Sequence, residues 1–187
     1  MNDDRQIRNL ALIGFMATGK SSVGRLAAQA LGFAFVDTDE LIESRLRKKI
    51  SEVFAQEGEA WFREYERNIV EEISHYARVV IATGGGLAVN PANLASLKTH
   101  ALVVCLWGSP ETIWNRARHA THRPLLKDPD PLGKIRQLLA ARNPHYRQAD
   151  ILISIERRTM RKVSDQVVHE FRLATAAGRR PAAASTP

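Results

Sequence analysis

The chain has 187 residues, 44% hydrophobic and 25% charged, the size and composition of one ordinary globular domain, which excludes collagen-like, disulfide-scaffold and wholly disordered chains. Its 27 Lys and Arg against 20 Asp and Glu leave a net charge of +7. The excess falls on residues 113–162, where nine Arg and three Lys face four acids, and such a stretch points to an anionic partner, either nucleic acid or a phosphorylated small molecule. In chain order, short apolar runs alternate with helical stretches, the pattern of a parallel α/β sheet. Strands are expected at Asn9–Gly14, Ala34–Val36, Val79–Thr83, Ala101–Leu106 and Ile151–Ile155, each continuously apolar as suits burial on both faces. Helices are expected at Lys20–Leu31, Thr38–Lys48, Ser51–Gln56, Glu59–Tyr76, Pro91–Leu97, Pro110–Ala117, Pro131–Ala141 and Thr159–Ala174.

The rest of the organisation follows from composition. The run Leu10–Met16 follows Asp3 and Asp4 and leads into Gly-Lys-Ser, so it reads as a strand and not as a secretory leader. No apolar stretch approaches the roughly 20 residues of a membrane span. The single cysteine, Cys105, lies in an apolar run, which excludes an internal disulfide and suits a buried core thiol in the cytoplasm. One domain is expected over residues 1–173, followed by a disordered tail over 174–187, rich in Ala, Arg, Pro and Ser. A Pro-rich segment at about 118–131 reads as a lid, or alternatively as a plain surface loop. His119 and His122 within it lack a Cys or acid cluster and read as solvated residues, with no zinc site. No heptad or apolar stripe calls for a partner subunit, so a monomer is expected.

Gly14-Phe15-Met16-Ala17-Thr18-Gly19-Lys20-Ser21 satisfies G-x-x-x-x-G-K-[ST], with the required strand before it and helix after it. Backbone N–H groups in such a loop curl around phosphate oxygens, and the following helix presents its positive end to them. Lys20 adds a point charge for the β- and γ-phosphates, and the Ser21 hydroxyl is a hard oxygen ligand for Mg²⁺. Ala17 stands where many small kinases carry glycine, so the loop must accommodate a Cβ there.

A phosphate loop alone fits GTPases, motor ATPases, helicases and metabolite kinases. Downstream, Asp37-Thr38-Asp39 ends the second strand, where ligands bind in such sheets. One carboxylate can support Mg²⁺ through its water shell and the other can take a proton from a hydroxyl nucleophile; the alternative is that Asp37 or Thr38 only caps the next helix. Gly84-Gly85-Gly86 follows the third strand and permits close approach of backbone to a ligand. No acid closes that strand, which disfavours a motor ATPase.

From Asn9 to Met160 the chain resembles the shikimate kinase family. The likeness rests on Gly14–Ser22, on Leu31-Gly32 followed by Asp37-Thr38-Asp39, and on Gly58-Glu59 followed by Phe62-Arg63. It continues through Gly84-Gly85-Gly86, Arg123-Pro124-Leu125-Leu126, and Arg142-Asn143-Pro144 with Tyr146. The resemblance implies a three-layer P-loop kinase fold of the nucleoside-monophosphate-kinase type, with a five-stranded parallel sheet and a lid. It also implies transfer of the ATP γ-phosphate to the 3-hydroxyl of shikimate in chorismate synthesis. On that basis Ala17, Thr18, Gly19, Lys20, Ser21 and Ser22 contact the ATP phosphates. Ser21 and Asp37 serve Mg²⁺, and Asp39 grips the substrate hydroxyls and acts as base or orienter. Arg63, Gly85 and Arg142 complete the shikimate site, the two arginines pairing with its carboxylate. Arg123 corresponds to the lid arginine, Arg116 to the residue packing on adenine, and Arg158 to a late nucleotide contact. Two other readings remain: another small-molecule kinase such as a gluconate kinase, and a nucleic-acid binder. The second would want aromatics among the basic residues, and residues 113–162 hold only Trp114 and Tyr146.

Overall fold

The computed structural model describes residues 5–118 and 129–177. Five parallel strands, β1 (Asn9–Ile13), β2 (Ala34–Asp37), β3 (Val79–Ala82), β4 (Ala101–Trp107) and β5 (Ile151–Ser154), form one sheet in the order β2-β3-β1-β4-β5. The expected strands are all present, each within one residue at its ends. The helices are α1 (Lys20–Leu31), α2 (Thr38–Leu46), α3 (Ile50–Ser74), α4 (Pro91–His100), α5 (Pro110–Ala117), α6 (Pro131–Tyr146) and α7 (Met160–Ala177).

The ends of α2, α4, α6 and α7 differ from expectation, and α4 runs on from the expected Leu97 to His100. Helix α2 stops at Leu46 because Arg47 turns left-handed at φ 52. The two helices expected on either side of Gly58 are both present within α3, separated by the kink where Gly58 takes φ 84 and ψ 169. Helix α6 continues through Pro144 to Tyr146. Helix α7 runs four residues into the expected tail, to Ala177, as its alanine content favours. The remainder of that tail, and residues 119–128 of the segment expected as a lid, with His119, His122 and Arg123, lie outside the described residues.

Strand β1 shows why the apolar runs do not alternate. Leu10 and Leu12 pack with Val23 and Ala27 of α1 and Val163 and Val167 of α7. Ala11 and Ile13 pack on the opposite face with Ile42 of α2, Ile69 and Ile73 of α3, Leu97 of α4 and Ile113 of α5. Cys105 belongs to that second face, and burial raises its thiol pKa to about 12, which makes it an inert core residue. Among the described residues, no helix is long and apolar enough to cross a membrane.

The chain leaves β1 toward β3 and β2 on one side and toward β4 and β5 on the other. The order therefore reverses at β1, and its carboxyl end is the switch point at which such sheets bind ligands. Gly14, the first residue beyond β1, sits at φ 133, and a Cβ there would overlap the Leu106 carbonyl oxygen. Gly14→Ala is expected to lower stability by about 2–4 kcal/mol through combined strain and overlap, measured as a loss of urea midpoint with unchanged slope.

Candidate active site

The loop after β1 is drawn tight by its own side chains. Thr18 Oγ1 donates to the Phe15 carbonyl at 2.9 Å, and the Lys20 ammonium donates to the Gly14 and Phe15 carbonyls at 2.9 and 2.8 Å. Ala17 lies at φ 60, so the loop does place a Cβ in the left-handed region, at a cost of about 1–2 kcal/mol. Gly19 stands at the N-cap of α1 with no side-chain cap, which leaves the first backbone N–H groups of the helix for an anion.

Beside this loop, the Ser21 hydroxyl donates to Asp37 Oδ2 at 2.6 Å. Asp37 Oδ1 accepts from the backbone N–H groups of Asp39 and Glu40 at 3.0 and 3.4 Å. Asp37 thus caps α2 and faces the phosphate loop at once, so the two readings of this residue are compatible. Thr38 is buried and its Oγ1 accepts from the Gly84 N–H at 2.9 Å, tying the Asp-Thr-Asp turn to the glycine loop. The Asp39 carboxylate lies against Gly84, where any Cβ would overlap its Oδ1. Burial, reinforced by the charge of Asp37, raises the Asp39 pKa to about 6, against the pull of Lys20.

On the other side of the glycine loop, two arginines converge from α3 and α6. The Arg63 guanidinium lies against Gly86, where an added Cβ would meet its Nη1 at 2.8 Å. Arg63 pairs with Glu59 at 3.0 Å and with Glu66 at 2.6 Å. Arg142 Nη1 donates to the Gly85 carbonyl at 3.1 Å, and its guanidinium lies over the Phe15 ring at 5.4 Å. That carbonyl is a neutral partner, and the Glu66 carboxylate acts on Arg142 through space. Glu59, Arg63, Gly86, Val89, Asn90 and Arg142 line a cleft of about 300 Å³, open to a small anionic ligand.

Three comparisons bear on this geometry. The model of the shikimate kinase family matches residues 16–172. A shikimate kinase of Thermodesulfovibrio yellowstonii is 42% identical over 165 residues, covering 88% of this chain and 95% of that protein. The chain belongs to the shikimate kinase family. The structure of Acinetobacter baumannii shikimate kinase in complex with shikimate superposes with a TM-score of 0.84 at 32% identity, covering 93% of this chain and 96% of that one. A Sinorhizobium meliloti gluconokinase, at 16% identity and a TM-score of 0.62, shares the fold alone.

Within the family frame, Ala17, Thr18, Gly19, Lys20, Ser21, Ser22, Asp37, Asp39, Arg63, Gly85 and Arg142 cluster at the carboxyl ends of β1, β2 and β3 and on α3 and α6. Arg116 of α5 joins them through its backbone contacts, donating to Thr18 O at 3.3 Å and to Ile155 O at 3.1 Å. Arg158 does not point there. Its guanidinium turns onto Ser154 O, Gln166 and Lys162 O at 3.3, 2.5 and 3.2 Å, because the first turn of α7 and the end of β5 offer it those acceptors. Only its main-chain carbonyl, at 3.5 Å from Arg116, faces the loop.

Sequence reasoning missed Glu66, a 1% exposed carboxylate that orients Arg63. Its signal was present as the i,i+3 and i,i+4 spacing of Glu66 and Glu59 about Arg63, but a surface ion pair has the same spacing. Burial raises the Glu66 pKa, and the Arg63 charge opposes that rise.

Proposed function

We propose that this chain is an ATP-dependent kinase that phosphorylates the 3-hydroxyl of shikimate. The observation that carries the reading is the placement of Arg63 and Arg142 on two sides of the glycine loop, with Asp39 against Gly84. A guanidinium fork binds a carboxylate bidentately, which suits a carboxylated polyol. The charge of Arg63 is partly spent on Glu59 and Glu66, so Arg142 supplies the larger share of attraction.

The residues then divide the work of an in-line phosphoryl transfer, in which positioning and charge neutralisation dominate. Lys20 leaves its loop carbonyls for phosphate oxygens, and the open end of α1 receives the same charge. Asp39, with a pKa of about 6, is mostly ionised at neutral pH and accepts the proton of the attacking hydroxyl. Arg116 packs on the base, and the family resemblance assigns Arg123, outside the described residues, to the phosphates. The paired oxygens of Ser21 and Asp37 are hard donors at the mouth of the phosphate loop, a set that suits Mg²⁺ held jointly with phosphates and waters. Bound there, the ion supplies neutralisation of the β- and γ-phosphate charge. A cytoplasmic monomer is the simplest working unit, since the sequence carries no heptad or apolar stripe that calls for a partner subunit.

ADP release measured with shikimate, gluconate, nucleoside monophosphates and RNA tests the reading. Turnover with shikimate and background rates with the others are expected. ADP release that does not depend on shikimate overturns it.

A further inference from the structure

Gly85 presents its carbonyl to two donors from one face of α6. Arg142 Nη1 donates at 3.1 Å, and the Tyr146 hydroxyl, one helical turn later, donates at 2.7 Å. A carbonyl oxygen has two lone pairs, so this acceptor is fully occupied. We propose that Tyr146 is a positioning residue for substrate capture: it keeps the Gly85 carbonyl satisfied so that Arg142 can leave it for the substrate carboxylate. The proposal rests on the assignment of Arg142 to that carboxylate.

The two donors are built differently. Arg142 is half-buried at the edge of the cleft, with its guanidinium over the Phe15 ring. Tyr146 is 2% exposed and packed in the core beneath the sheet. Burial raises its hydroxyl pKa to about 12, so it donates throughout the working pH range. To grip a carboxylate with two parallel N–H groups, Arg142 must weaken its hold on Gly85. Without Tyr146 that departure would orphan a half-buried acceptor, and orphaned acceptors are costly. The arginine would then be held by the protein in competition with the substrate. Helix α6 must continue past Pro144 for this arrangement to exist, since Tyr146 is its last residue.

Tyr146→Phe removes the hydroxyl and keeps the ring that fills the core. In the full-length enzyme its KM for shikimate is expected to rise roughly fivefold to thirtyfold, while kcat and the KM for ATP stay near wild type. The coupling is read from kcat/KM for shikimate in Tyr146→Phe, Arg142→Met and the double variant. With no arginine left to be captured, Tyr146→Phe is expected to cost nothing further in the Arg142→Met background. An equal cost in both backgrounds, a parallel rise in both KM values, or an unchanged KM for shikimate beside an impaired Arg142→Met overturns the proposal alone. A wild-type kcat/KM in Arg142→Met removes the carboxylate assignment and the proposal with it.

Discussion

Asp39→Asn is expected to lower kcat for shikimate phosphorylation by about two to four orders of magnitude, with ATP binding retained. Asn preserves the shape against Gly84 but cannot take a proton from the attacking hydroxyl. The wild-type kcat/KM is expected to fall on the acid side of about pH 6, where burial and Asp37 place this carboxyl, and the residual rate of the variant should lose that limb. Stability moves in the opposite sense. The folded-state pKa lies above the ordinary value of 3.8, so the native protein binds this proton more tightly than the unfolded chain does. Ionised Asp39 therefore costs stability above about pH 6, and the cost vanishes below about pH 4. Asp39→Asn should raise the unfolding free energy near neutral pH, by at most about 3 kcal/mol, and change it little in acid. Thermal melts at the two pH values check this, and a variant destabilised equally at both would remove the strain attributed to the ionised carboxylate.

Lys20→Met is expected to lower kcat/KM for ATP by about two to three orders of magnitude, the scale for losing one charged donor on a transferring group. The loop should survive the change. Thr18 Oγ1 still holds the Phe15 carbonyl, and a methionine stem fills most of the space of the 8% exposed lysine. A second consequence separates a charge effect from a packing effect. Lys20 pulls the Asp39 pKa down, so its removal should shift the acid limb of the residual rate to higher pH. A pH–rate profile of Lys20→Met measures that shift, and an unmoved limb would uncouple the two groups.

What was legible in the sequence was what lies close along the chain. Gly14–Ser21 and Asp37-Thr38-Asp39 each form a contiguous turn at a strand end, so residue type and spacing carry their geometry. The strands were legible because burial on both faces leaves no polar position in β1 or β4 except at their ends. The contacts that tune the site were not, because each joins distant segments. The overlap of Asp39 with Gly84 sets the pressure on the base, yet 45 residues separate the two positions. The sharing of the Gly85 carbonyl by Arg142 and Tyr146 depends on α6 reaching Tyr146, beyond the Ala141 expected as its end. The direction of the Arg158 side chain was not legible either, since Gln166 and two carbonyls hold its guanidinium.

The basic stretch over residues 113–162 also changes meaning once placed in the fold. Arg116 and Arg142 face the phosphate and glycine loops. Arg136 instead pairs with Glu111 at 2.7 Å on the surface, where such a pair contributes little. Of this stretch, Arg142 lines the small cleft, opposite Arg63 of α3, and such a cleft fits a small anion.

In the proposed reaction Asp39 and the two arginines present one particular hydroxyl of shikimate to the γ-phosphate. Coupled ³¹P and ¹H NMR of the product formed from ATP and shikimate reads this directly. A single phosphate resonance coupled to the proton at carbon 3 of the ring is expected. Phosphate on another hydroxyl, or ADP and inorganic phosphate without a phosphorylated ring, would contradict it.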